Sequence, residues 1–192
     1  TLSTNIAGYF ASRGHHVMLG DADVQQSSRF WLKQRPATLP PISTWEFEPG
    51  TVPTVKPPKN TTHVVIDTPA GLGGAQLKEL VQRANKIIVP LMPGVFDMQA
   101  THAFLQDLSA LTRKLPAKVG VVGNRVDART IAANRLHEFA DSLQVPILGY
   151  LRDTQYYLHL AAHGLSMFDI TPSQIERDLE QWEPICHWLD RD

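Results

Sequence analysis

Three strand-like runs in this sequence end in side chains that can do chemistry. Asp67 follows His63-Val64-Val65-Ile66 and precedes Thr68-Pro69-Ala70-Gly71. An apolar, β-branched run stopped by a turn-forming segment reads as a buried parallel strand, and ligands of open α/β sheets bind beyond such strand ends. Asp21 and Asp23 close a second run, His15 to Asp23, at a spacing that sends both side chains to one face of a strand. Asn124 follows a third, Val119 to Val122, in the segment Gly123-Asn124-Arg125-Val126-Asp127. Acids at two strand ends and an amide at a third suit a Mg²⁺-bound phosphate: one carboxylate for the metal's water shell, one to orient an attacking water, and a polar group to read a base. Taken alone, the Asp67 segment favours an Asp that merely caps a turn after a core strand.

The elements that must position these groups follow from periodicity. Thr1 to Gly14 has Leu2, Ile6, Phe10 and Ala11 at helical spacing and Gly14 as a C-cap. It opens without a cap or turn, so a strand and loop are expected upstream of Thr1. Gln25 to Arg35 is a helix with Phe30, Trp31 and Leu32 for packing, ending before Pro36. Residues Pro36 to Asn60 hold seven of the fourteen prolines, which makes them extended connection, with an edge strand at Ser43 to Phe47 and a surface segment at Gly50 to Lys56. Helices are expected at Ala75 to Ala84, Phe96 to Leu115, Thr130 to Leu143, Gln155 to His163 and Ser173 to Leu189, the last interrupted or kinked at Pro184; strands at Ile87 to Met92, Val119 to Val122 and Ile147 to Leu151. Alternating strands and helices predict a doubly wound, mostly parallel β-sheet with helices on both faces.

Composition narrows the class. With 192 residues and 43% hydrophobic content, one core and one domain over 1–192 are the simplest count. No apolar run approaches the ~20 residues that cross a bilayer. The lone Cys186 excludes an internal disulfide framework or a cluster within one subunit, pointing to the cytosol. The formal charge of -1 gives no global drive toward nucleic acid. His159 and His163 stand at i, i+4 but lack a third ligand, and read as helix-surface histidines.

In their order and spacing these segments resemble the ParA-type ATPases of the deviant-Walker family, a P-loop NTPase-like group that partitions plasmids, chromosomes and other cargo. Members carry a KGGVGKTT loop leading into a sequence like Leu2-Ser3-Thr4-Asn5-Ile6-Ala7, then a strand ending in DADPQ, here Asp21-Ala22-Asp23-Val24-Gln25. A strand ending in DTPPG follows, here Asp67 to Gly71, then PxxxD at Pro93 to Asp97, an Asn-Arg pair at Asn124-Arg125, and a segment like Ala162 to Phe168. The resemblance implies Mg²⁺ and ATP or ADP as cofactors, with Asp67 as the acid that holds the metal through water. It implies that Asp23 orients the attacking water, Asp21 supports the metal shell, and Asn124 and Arg125 contact the adenine. Thr1 would be the second threonine of the loop, so the two lysines and the Mg²⁺-binding threonine would lie before it, and hydrolysis would require that loop. Asp97 serves either as an N-cap or as a switch residue.

The resemblance further implies an ATP-dependent homodimer, nonspecific DNA binding, a ParB-like or cargo-adaptor partner, and a nucleoid-associated place in the cytoplasm. Arg83 to Arg135 contains eight basic residues against three acids, with Arg113, Lys114 and Lys118 as the candidate DNA contacts. An equal reading is a solvated face that balances acids elsewhere. MinD-like members hold membranes through a basic C-terminal helix, whereas Ser173 to Asp192 has six acids and two arginines, which an anionic bilayer repels. Its stripe Ile175, Leu179, Trp182, Cys186 and Leu189 is expected in the core. A nucleotide-dependent localisation scaffold that binds a protein without DNA is the alternative.

Overall fold

The computed structural model describes residues 1–44, 57–113, 115 and 117–191. In chain order its elements are α1 (Leu2–Ser12), β1 (Val17–Asp21), α2 (Ser27–Gln34), β2 (Ile42–Ser43), β3 (His63–Asp67), α3 (Gly74–Arg83), β4 (Lys86–Leu91), α4 (Val95–Thr112), β5 (Lys118–Val126), α5 (Ile131–Asp141), β6 (Ile147–Arg152), α6 (Gln155–Ala162) and α7 (Glu176–Asp190), with 3₁₀ turns at Met167–Asp169 and Pro172–Gln174. Two compact units divide the chain, Thr1–Leu72 with Gln155–Glu176 and Gly73–Thr154 with Arg177–Asp192.

The first unit is built on a parallel sheet of order β2-β1-β3. β1 lies in the middle and buries all five residues, as a strand flanked on both sides must. β3 is at the sheet edge, and there Val64 is 43% exposed, so the run expected to be wholly buried is half-covered. α1 ends with Gly14 at φ +81 and with the N–H groups of Gly14 and His15 on the carbonyls of Ala11 and Phe10. α2 buries Trp31 but leaves Phe30 63% exposed, which corrects the expectation that both pack. A two-residue edge strand is seen at Ile42–Ser43 and has ended by Thr44, so it meets the expected Ser43 to Phe47 strand at Ser43 alone; Trp45 to Phe47, like Gly50 to Lys56, lies outside the described residues.

A buried ion pair closes this unit. Arg35 sends Nη1 and Nη2 to Asp169 Oδ2 and Oδ1 at 2.8 and 2.9 Å, with side chains 5% and 1% exposed. Ser166 adds its N–H and hydroxyl to Asp169 at 2.7 and 2.6 Å. Trp31 Nε1 donates to the Leu165 carbonyl at 3.1 Å, beneath the Arg35 guanidinium. Gly164 has φ +67, and a Cβ there would run into the backbone of Gln34 and Arg35. Burial pushes the Asp169 carboxyl up, but the bonds from Arg35 and Ser166 outweigh it and hold it below the usual carboxylate range.

In the second unit the parallel sheet has the order β4-β5-β6. Pro90 stands on β4, which among the described residues is an edge strand, where a missing N–H is tolerated. α7 continues through Pro184 and buries Asp178, Trp182 and Ile185. Ile185, not Cys186 or Leu189, is therefore the inward residue of its last turns, and Asp178 is not part of an exposed acidic face. It is fully buried on Arg152, with Nε at 2.6 Å and Nη2 at 2.8 Å. Lys86 Nζ reaches the Leu189 carbonyl at 2.6 Å and that of Arg191, satisfying carbonyls at the end of α7.

Asp169→Ala strands the Arg35 guanidinium in a buried site and is expected to cost about 3–5 kcal/mol in urea unfolding. The Asp169 carboxyl is lowered by folding, so its contribution is full above the unfolded value of about 4 and fades as pH falls toward the folded value. The gap between Asp169→Asn and the parent protein should therefore narrow below pH ~4 in unfolding measured across that range.

Candidate functional site

Parallel pairing of β1 with β3 sets Asp21 opposite Asp67 as register partners at the last position of both strands. The two carboxylates that sequence places far apart thus share one sheet edge, with the chain crossing between them where Ala22 N–H donates to the Asp67 carbonyl at 2.8 Å. Two hydroxyls hold the Asp67 carboxylate: Ser3 of α1 donates to Oδ1 at 2.9 Å and Ser28 of α2 to Oδ2 at 2.5 Å. Such charge-assisted bonds are short and stronger than neutral ones. Asp67 keeps further lone pairs, and a carboxylate set among hydroxyls is the hard oxygen environment that Mg²⁺ accepts through its waters.

Asp21 is engaged differently. Oδ1 accepts the N–H of Asp23 at 3.0 Å, and Oδ2 those of Ser28 and Arg29 at 2.8 and 3.1 Å. α2 has no side-chain cap from its own N-cap residue, Gln26, so Asp21 satisfies its orphan N–H groups from the preceding strand. β1 stops at Asp21, which places Asp23 in the following loop instead of on a shared strand face. There Asp23 Oδ1 takes the N–H of Gln25 at 3.0 Å and Gln26 adopts φ +51. Thr1 precedes α1, and its carbonyl accepts from Thr4 Oγ1 and Asn5 Nδ2, each at 2.9 Å. The other end of the buried Asn5 amide accepts the Met167 N–H at 2.8 Å.

The remaining candidates belong to the second unit. Asn124 and Arg125, expected just past a strand, are inside β5, which runs to Val126. Pairing with β6 shifts register between Gly123 and Val126, and Arg125 sits at φ +55, so the pair occupies a bulge that re-aims its side chains. Arg125 Nε reaches Asp153 at 3.4 Å with both side chains more than half exposed. Among the described residues, Gln26 and Arg125 are the two non-glycine residues with positive φ, and both fall beside candidate side chains. The N-cap of α4 is Gly94, so Asp97 lies in the first helical turn and does not cap.

The basic stretch is less open than its charge count. Arg83 pairs with Glu79 at 2.8 Å, Lys86 is committed to α7, and Arg129 forks onto Asp127 at 2.9 Å, holding that carboxyl down at about 2. Arg113 follows α4 and Lys118 opens β5, at the end of that strand opposite Asn124; Lys114 is outside the described residues. His159 of α6 and His163 just past its end have ring centroids 4.8 Å apart, and no group of three or more metal-ligating side chains occurs among the described residues. No helix there is long and apolar enough to cross a membrane. Neither Ser3 nor Ser28 was expected in the site; the signal that could have found them is a hydroxyl in the first turn of each helix, beside the strand-end acids.

A sequence model of the CobQ/CobB/MinD/ParA nucleotide binding domain matches residues 1–167. The "Maintenance of carboxysome distribution protein A" of Halothiobacillus neapolitanus is 26% identical over 176 residues, covering 88% of this chain and 81% of that protein. The protein so described from Gloeobacter kilaueensis is 25% identical over 199 aligned residues, covering 100% and 88%. In fold, the MinD cell division protein of Aquifex aeolicus is similar with a TM-score of 0.69 at 14% identity, over 98% of this chain and 89% of that one. A plasmid partition protein of Borrelia burgdorferi B31 bound to AMPPNP gives 0.69 at 15% identity, over 97% and 92%.

Asp21→Ala removes three acceptor contacts at once and is expected to cost about 1–2 kcal/mol, the upper range for a lost helix cap. Urea unfolding checks the size, and amide exchange should speed at Asp23, Ser28 and Arg29 first.

Proposed function

Because the chain belongs to the CobQ/CobB/MinD/ParA family of nucleotide-binding domains, we propose that residues 1–192 act as one Mg²⁺-dependent ATPase domain that dimerises on ATP and positions a large cargo. The observation that carries this reading is the Asp21–Asp67 register pair, with the Asp23 loop anchored to it. The name shared by these two relatives supports a protein compartment of the carboxysome kind as the cargo, reached through a ParB-like or cargo-adaptor partner. DNA bound nonspecifically in the cytoplasm serves as the track.

Mg²⁺, when bound, neutralises charge that develops on the transferring phosphoryl group. Asp67 would hold it through water, with Ser3 and Ser28 fixing the carboxylate. Asp21 acts by holding the loop start and the first turn of α2. Asp23 accepts from and orients the water that attacks the γ-phosphate in a largely dissociative transition state. Thr1, whose carbonyl takes the Thr4 hydroxyl, would serve the phosphates, and Asn124 and Arg125 would contact the adenine.

A second reading, a nucleotide-dependent scaffold that binds a protein without DNA, draws support from the engagement of Arg83, Lys86, Arg125 and Arg129 by acids or carbonyls.

Asp23→Ala is expected to lower ATP turnover by about a hundredfold while nucleotide affinity stays near the parent value; turnover at the parent rate removes Asp23 from the mechanism. In gel shifts with ATP, Arg113→Ala and Lys118→Ala should each reduce the log–log salt slope of DNA binding by about 1. Absence of any retardation at low salt selects the scaffold.

A further inference from the structure

We infer that Ser28 is a positioning residue that ties the Asp23 loop to the metal-holding carboxylate, so that the metal site and the water-orienting residue move as one piece. The inference rests on the proposed function for the identity of metal and nucleotide. The tie itself rests on geometry alone. Ser28 is 1% exposed and, among the described residues, bonds the carboxylates of both paired acids: its N–H donates to Asp21 Oδ2 at 2.8 Å and its hydroxyl to Asp67 Oδ2 at 2.5 Å.

The loop from Ala22 to Gln26 is thereby closed at both ends on the same carboxylate pair. At its start, Asp23 N–H is on Asp21 Oδ1 at 3.0 Å; at its end, Ser28 bridges Asp21 and Asp67. Inside, Gln26 N–H donates to the Asp23 carbonyl at 3.1 Å and Gln26 takes φ +51, a conformation that persists only where the surroundings hold it. Asp23 cannot shift with respect to Asp67 without straining the Ser28 hydroxyl bond or the caps on Asp21. Ser3 makes the matching bond to Oδ1 from α1, but no bond joins it to this loop, so it separates fixing the carboxylate from fixing the loop.

Alanine at position 28 is a good helix residue and keeps the N–H to Asp21, so Ser28→Ala removes the hydroxyl tie alone. The first measurement is amide hydrogen exchange on the full chain without nucleotide. Ser28→Ala should speed exchange of residues 22–27 by about five- to tenfold, the loss expected for one hydrogen bond, whereas Ser3→Ala leaves them unchanged. The second is steady-state ATP hydrolysis, where Ser28→Ala should lower kcat about tenfold at unchanged KM, the size of a modest misplacement, and Ser28→Thr should restore it. Unchanged exchange in the loop, or equal speeding by Ser3→Ala, overturns the tie. Exchange that quickens throughout the first unit, with kcat falling only as the folded fraction falls, shows a merely structural serine and also overturns it. If the parent protein neither binds nor hydrolyses ATP, the ATPase reading fails, while the exchange comparison still decides the tie.

Discussion

The Asp67 carboxylate is the point on which the first unit converges. It ends β3, stands in register with Asp21 of β1, and receives one hydroxyl from α1 and another from α2. Two carboxylates at adjacent strand ends repel unless something compensates them, and here the compensation is unequal. Asp21 is saturated with backbone N–H groups and buried, whereas Asp67 is held by two hydroxyls and keeps lone pairs to offer. One acid becomes part of the scaffold and the other remains able to serve a cation.

A second polar cluster fixes the helices that reach this point. Arg35, at the far end of α2, is buried against Asp169, and Asn5 of α1 bonds the turn that follows Ser166. A buried ion pair is an expensive way to gain stability, yet it is specific: only one placement of α2 satisfies both its N-terminal N–H groups on Asp21 and its C-terminal guanidinium on Asp169. The loop that carries Asp23 inherits its position from these two anchors.

The family assignment and the proposed cargo-positioning role add chemistry to this scaffold without altering it. In that proposal Asp23 would have a task because its loop is held beside the acid pair, and Asn124 with Arg125 would have one at the register shift in β5. The exposed Phe30 beside the anchored loop, by contrast, has no role in the chemistry described.

Much of this was legible in the residues alone. Apolar runs closed by Asp21, Asp67 and Asn124 announced parallel strands with polar ends, and Gly14 and Gly164 marked the ends of α1 and α6. These are local signals, set by side-chain periodicity and backbone sterics. The ordered motifs also sufficed to reach the family. Periodicity could not show that β1 stops at Asp21, because its end is decided by Asp21 turning back to cap α2 and not by any breaker in the sequence. Nor could it reveal that Ser3 and Ser28 share Asp67, that Arg35 finds Asp169, or that Asp178 lies under Arg152. Each of these pairs residues distant in sequence, and a hydroxyl or a charge carries no mark of its partner until strand pairing and helix packing bring the two together. The sequence alone determined which residue types stand at the strand ends; tertiary pairing decided which acid is locked by backbone N–H groups and which stays open to a ligand.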